Sequence, residues 1–156
     1  MSKERGTSLP SDLYEFLRGT TPADKFQQVI LLSVVDPEGW AHFAMLSPWE
    51  LAAKSPGRIL LLLYESSRTT YNIWTNGKLT LAIINPALSY YVFCFAQPLP
   101  ALEEAPGQAL FELKVDQVLE DLAPTATILT GLTFEGFDPE IPIQDRERAF
   151  QKLLSL

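Results

Sequence analysis

The chain has 156 residues, enough for one domain with a substantial core. Hydrophobic residues make up 47% and charged residues 20%, which excludes a disordered or fibrous composition. A formal net charge of -7 argues against wrapping a nucleic-acid backbone, which needs clustered Lys and Arg, but leaves room for a local basic pocket.

The polar start, MSKERGTS, is not the pattern of a signal peptide. No apolar run approaches the roughly 20 residues of a membrane span. A soluble, cytoplasmic protein with no membrane and no nucleic-acid partner is expected. Ser11 to Arg18 reads as a short helix, capped by Ser11 or Asp12 and ended by Gly19, with Leu13, Phe16 and Leu17 on one face. Gln28 to Val35 is a strand candidate. Asp36-Pro37-Glu38-Gly39 is turn chemistry, and Trp40 to Met45 returns as the second strand of a hairpin. His42, the single histidine, lies on that second strand.

Ser47-Pro48-Trp49-Glu50 reads as the start of a short helix: Ser47 can cap Glu50, Glu50 can reach back, and Pro48 suits the first position. Ser55-Pro56-Gly57 stops it. The apolar run from Ile59 to Tyr64 suits a strand buried on both faces. It ends in the polar cluster Glu65-Ser66-Ser67-Arg68-Thr69-Thr70. Thr70 to Thr75 is expected to form about one helical turn, and Asn76-Gly77 either closes that helix or makes a tight turn.

Lys78 to Ile84 is a strand with Leu79, Leu81 and Ile83 on one face. Ser89 to Ala96 is an aromatic, β-prone run expected at the centre of a sheet or on an oligomer surface. Cys94, the single cysteine, falls in this run and reads as a small buried hydrophobe. One histidine and one cysteine make no protein-only zinc site. Gln97 to Gly107 reads as a connection. Ala109 to Val115 alternates with Phe111, Leu113 and Val115 inward, and Val118 to Leu122 extends that strand past a bulge. Ala126 to Phe134 is expected as a last strand, Asp138 to Pro142 as a loop, and Ile143 to Leu156 as an amphipathic helix with Ala149, Phe150, Leu153 and Leu154 on its apolar side. The expected fold is mainly β with some α: an antiparallel barrel of six or seven strands with short peripheral helices, closed so as to remove most sheet edges. It is expected as a single domain over 1–156, with its core in 28–121 and a C-terminal helix over 143–156.

The cluster after Tyr64 offers hydroxyls, one guanidinium and the free amides of a helix start, which are the parts of an anion site. The alternative is a turn and helix cap with a solvated Arg68. The order of elements resembles the FMN-binding split-barrel proteins of the pyridoxamine 5'-phosphate oxidase-like superfamily. A hairpin, a short helix, a buried strand, a Ser/Thr-rich turn with a basic residue, the pair Asn72-Ile73 and a further strand occur in that order. FELKVDQVLED, from Phe111 to Asp121, resembles the long outer strand of such barrels.

The resemblance implies a homodimer with two FMN sites at the subunit interface. Cofactor-binding residues are then Ser66, Ser67, Arg68, Thr69, Thr70 and Asn72, with His42, Met45 and Ser47 along and after the strand that faces the ring system. Two departures stand out: His42 is what this chain offers where family members often carry an Arg, and Thr69 stands where a Lys is common. The implied activity is flavin-dependent oxidoreduction, for which His42 and Tyr71 are the candidate proton-transfer groups. The alternative is a non-enzymatic dimeric barrel that binds another ligand, such as haem, or none.

Overall fold

The alternating and buried apolar runs assemble into one antiparallel sheet. The computed structural model describes residues 1–19, 27–135 and 143–156. Among these are eight strands, β1 (Ser2–Gly6), β2 (Ile30–Val35), β3 (Ala41–Leu46), β4 (Leu51–Ser55), β5 (Arg58–Tyr64), β6 (Lys78–Ile84), β7 (Ser89–Leu99) and β8 (Gln108–Asp121). Three helices accompany them, α1 (Ser11–Leu17), α2 (Arg68–Asn76) and α3 (Ile143–Ser155). The strand order is β3-β2-β6-β7-β8-β5-β4, and β1 pairs with the end of β8. This is the antiparallel split-barrel arrangement expected, but the hydrogen-bonded path stays open, with β3 and β4 at its two ends.

β8 is the spine. Its first half pairs with β5 and its second with β1, while β7 runs beside it throughout. The register slips between Phe93 and Cys94, so Asp116 has no partner across the ladder. The inner face gathers Leu32, Leu61, Leu81, Val92, Phe111 and Leu113, all fully buried. Leu13, Phe16 and Leu17 of α1 join this core. Each such side chain stabilises the fold by about 1.5–3 kcal/mol relative to exposure. The Tyr90 hydroxyl donates to Asp12 at 3.0 Å and ties α1 to β7. Burial, reinforced by that carboxylate, pushes the Tyr90 phenol up to about 12.

The outer face divides in two. Over β4, β5 and β8, Ala52, Leu60, Leu62 and Leu110 are covered by Ala149, Phe150 and Leu153 of α3. Trp49 meets Phe150 edge-on at 5.3 Å between ring centres. Lys54 donates to the carbonyls of Leu153 and Leu154 and so closes the end of α3. Over β3, β2, β6 and β7 no described helix lies on the outer face. Its cross-strand rows read Met45-Leu31-Ala82-Tyr91 and Phe43-Ser33-Thr80-Phe93.

Four local expectations are corrected. The stretch after Ser47 is a 3-10 turn over Pro48–Glu50 followed by strand β4, not a helix. The Glu50 carboxylate accepts from the Ser47 amide at 2.7 Å and its hydroxyl at 3.1 Å, so the start signal is real. Pairing of Leu51, Ala52 and Ala53 with β5 then takes the chain over. Burial raises the Glu50 carboxyl above its ordinary range, against the lowering pull of Ser47 and Arg146. Second, α2 runs from Arg68 to Asn76 rather than for about one turn over Thr70 to Thr75. Third, α1 has Pro10 at its N-cap with no side-chain cap; Asp12 accepts from the Leu13 amide and from Tyr90 instead.

Fourth, Ala126 to Phe134 is not a strand. It lies as an arm along the sheet's end through one bridge, Gln28 with Thr133, and the bonds Val29 N to Leu132 O (2.9 Å) and Phe134 N to Gln27 O (2.7 Å). Gly131 passes so close that a Cβ would stand 2.1 Å from the Ile84 carbonyl oxygen. The loop expected over Asp138 to Pro142 lies outside the described residues.

Candidate functional site

The start of α2 is built from its own hydroxyls. Ser67 is the N-cap, and its Oγ accepts from the Thr70 amide at 3.1 Å. The same hydroxyl donates to Thr70 Oγ1 at 3.0 Å, and Thr70 Oγ1 donates to the Tyr64 carbonyl at 2.8 Å. Two of the hydroxyls in the cluster therefore lock the turn to the end of β5, and Thr70 is fully buried. The other end of α2 closes on Gly77 at φ 73°, whose amide donates to Ile73 O at 2.8 Å. This left-handed residue settles Asn76-Gly77 as a helix stop.

The exposed part of the cluster is Ser66 and Arg68; the first-turn amides of Arg68 and Thr69 by position have no intrahelical acceptor. Arg68 stands 3.8 Å from Asp36 in the β2–β3 turn. Asp36 is itself fixed by accepting from the Glu38 and Trp40 amides at 3.0 and 2.8 Å. Thr69 is buried, and its hydroxyl is 3.1 Å from His42 Nε2 on β3. At the far end of the helix, Asn76 donates to the Val35 carbonyl at 3.1 Å. Three separate contacts thus lay α2 along one hairpin, and they bring His42 beside the Ser/Thr turn from 27 residues away.

The remaining candidates are placed differently. Asn72 is buried on α2, and neither its Oδ1 nor its Nδ2 has a hydrogen-bond partner among the described residues. Met45 is 64% exposed and, by strand alternation, stands on the face of β3 opposite to His42. Ser47 is buried past the end of β3 with its hydroxyl on Glu50. Tyr71 is exposed on the outside of α2. Sequence reasoning missed Asp36 as the counter-ion of Arg68; its turn signal was legible, but its second oxygen's partner lies on another element.

Beside the hairpin, the uncovered outer face holds a cleft of about 430 Å³ lined by Val35, Lys78, Thr80, Phe93, Phe95 and Asp116. Phe43 is 63% exposed at its edge strand, and Val35 and Phe95 are also exposed. No helix among the described residues is long and apolar enough to cross a membrane.

Comparison with solved structures finds the same architecture. A candidate pyridoxamine 5'-phosphate oxidase from Lactobacillus delbrueckii superposes with a TM-score of 0.60 at 15% identity, over 76% of this chain and 98% of that one. An FMN-binding protein from Syntrophomonas wolfei does so at 0.55 and 16%, over 72% of this chain and 88% of that one. The chain therefore has the antiparallel split-barrel fold of these two proteins.

No family model matches the sequence. The uncharacterized protein YclD of Bacillus subtilis is 31% identical over 129 residues, spanning 82% of this chain and 84% of that protein. This chain belongs to the family of that protein.

Proposed function

We propose that this chain is a homodimeric FMN-binding protein whose cofactor phosphate sits at the start of α2. The observation that carries the reading is the meeting of Arg68, the first-turn amides and the Thr69–His42 pair at one edge of the β2–β3 hairpin. The donor set fits a phosphomonoester. A guanidinium can bind two of its oxygens, and the Ser66 hydroxyl and the amides can meet the rest. The Arg68–Asp36 contact is long and the guanidinium itself is exposed, although the Asp36 carboxylate is nearly buried, so Arg68 is left able to turn. In this reading Ser67 and Thr70 shape the turn and His42 lies at its rim.

The ring system would lie along β3. Met45, on the opposite face from His42, would then belong to the seam between subunits. The uncovered apolar face supports that seam, since an exposed sheet face bearing Phe43, Met45, Val35 and Phe95 suits burial by a second copy. An FMN-binding protein of the same fold, from Syntrophomonas wolfei, supports the choice of cofactor. The activity class that goes with this reading is flavin-dependent oxidoreduction. Bound flavin would supply hydride or electron transfer, while the protein binds it, orients it and shields it.

An absorbance spectrum with FMN titration of the purified protein tests the proposal. Flavin bands that shift on binding are expected. A protein that ignores added FMN overturns the reading, and a Soret band would assign haem in its place. Arg68→Ala is expected to weaken FMN binding by about 1.5–3 kcal/mol, the scale of a hydrogen bond to a charged group. An unchanged Kd would remove Arg68 from the site.

A further inference from the structure

We infer that the His42–Thr69 pair makes anion binding at the start of α2 proton-dependent, because the imidazole decides which way the Thr69 hydroxyl points its hydrogen. The inference rests on the reading of that place as the phosphate end of an FMN site.

A threonine hydroxyl has one hydrogen to give and lone pairs to accept with. Thr69 Oγ1 lies 3.1 Å from His42 Nε2, close enough for one hydrogen to sit between them. When the imidazole is neutral with its proton on Nδ1, Nε2 accepts the hydroxyl hydrogen. Thr69 then presents only lone pairs to its other side, which an anion avoids. When both ring nitrogens are protonated, Nε2–H donates to Thr69 Oγ1. The hydroxyl hydrogen is released to turn toward an anion, and the site gains a positive charge. From that neutral tautomer one proton changes both the charge and the hydrogen-bond polarity of the rim; from the tautomer with its proton on Nε2 it changes the charge alone.

The neighbouring charges leave this role to His42. Arg68 is the one charged side chain of α2, beside the exposed phenol of Tyr71. β2 contributes Val34 opposite His42 and no charged side chain along Ile30–Val35. The β2–β3 turn contributes Asp36, which faces Arg68, and the exposed Glu38. Arginine and carboxylate side chains ordinarily keep their charge between pH 6 and 8, whereas imidazole ordinarily changes its charge at about 6.5. By linkage, an anion that prefers the protonated imidazole must raise its proton affinity by the same factor.

His42 is the only histidine, so its ring signals in an NMR titration need no assignment. The midpoint of that titration should move up on addition of FMN and stay put on addition of riboflavin, which lacks the phosphate. The ratio of wild-type to His42→Gln affinities for FMN should rise about fivefold from pH 8 to pH 6, a comparison in which ionisation of the phosphate itself cancels. Thr69→Val should weaken FMN binding and lose the part of this rise that the hydroxyl carries, keeping the part due to the imidazolium charge. FMN binding with a flat ratio and an unmoved midpoint overturns the inference and leaves the FMN reading standing. Full coupling in Thr69→Val overturns the hydroxyl's part in it. No FMN binding by the wild-type protein at any pH from 5.5 to 8.5 overturns the FMN reading, and this inference with it.

Discussion

The two halves of the outer sheet face differ in what lies over them. Under α3, Leu60 and Leu62 are as buried as any residue of the inner core, and β5 is buried on both faces. Across β3, β2, β6 and β7, side chains of similar apolarity stand in the open, with Phe43 and Met45 on the end strand. The same alternating pattern therefore serves two purposes. One half contributes to folding of the single chain; the other, on the reading proposed above, is the seam between two copies. Among the described residues, what separates them is the cover that α3 makes together with Trp49, Leu102 and Ala105, since the sheet runs unbroken from one half to the other.

The comparison breaks first at Phe150, the largest α3 side chain in the second core. Phe150→Ala should lower folding stability by about 3–5 kcal/mol, read from urea unfolding, because it opens a cavity beneath the helix. On the bare half, Phe43→Asp with Met45→Asp should leave folding within about 0.5 kcal/mol of the parent, as exposed positions do. It should nonetheless weaken association by about 2 kcal/mol or more, read from sedimentation. Loss of folding stability comparable to that of Phe150→Ala would show that the bare face is part of the fold rather than a seam.

Ser67→Ala takes away the cap of α2, the helix that rests on the hairpin at the edge of the bare half. A loss of about 1 kcal/mol in thermal unfolding is expected, with the Thr70 amide left unpaired. The smallest effect concerns Cys94. Its thiol is pushed up to about 12 by burial and then by the nearby Asp116 charge, so it should stay protonated and label very slowly with maleimide at pH 8. Fast labelling of the native protein would mean that the bare half opens readily.

Much of this architecture was legible locally. The turn at Asp36, the twice-buried β5, the inward face of β6 and the bulged extension of β8 each follow from a pattern within one segment. What was not legible needed a distant partner. SKERG is polar and becomes a strand because β8 offers it an edge at Val118 to Asp121. Leu51 to Ser55 lacks β-branched residues and follows a genuine helix-start signal, yet pairing with β5 overrides both. Ala126 to Phe134 has strand-like composition but keeps one bridge, and its Gly131 passes close against the Ile84 carbonyl. At the candidate site the polar cluster was visible as a cluster. Which hydroxyls are engaged in the turn, and that His42 reaches Thr69, depend on how α2 settles on the hairpin.

The close passage of Gly131 has a kinetic consequence. The seat for the arm is made jointly by Gln27 to Val29, which lead into β2, and Ile84, which ends β6. Those residues lie side by side only after β2 and β6 have paired across a separation of some fifty residues, a slow step by the entropy of closing so long a loop. The arm cannot lock before then. Amide exchange should accordingly find the Val29 and Phe134 amides, which hold the arm, opening more often than the backbone of β6.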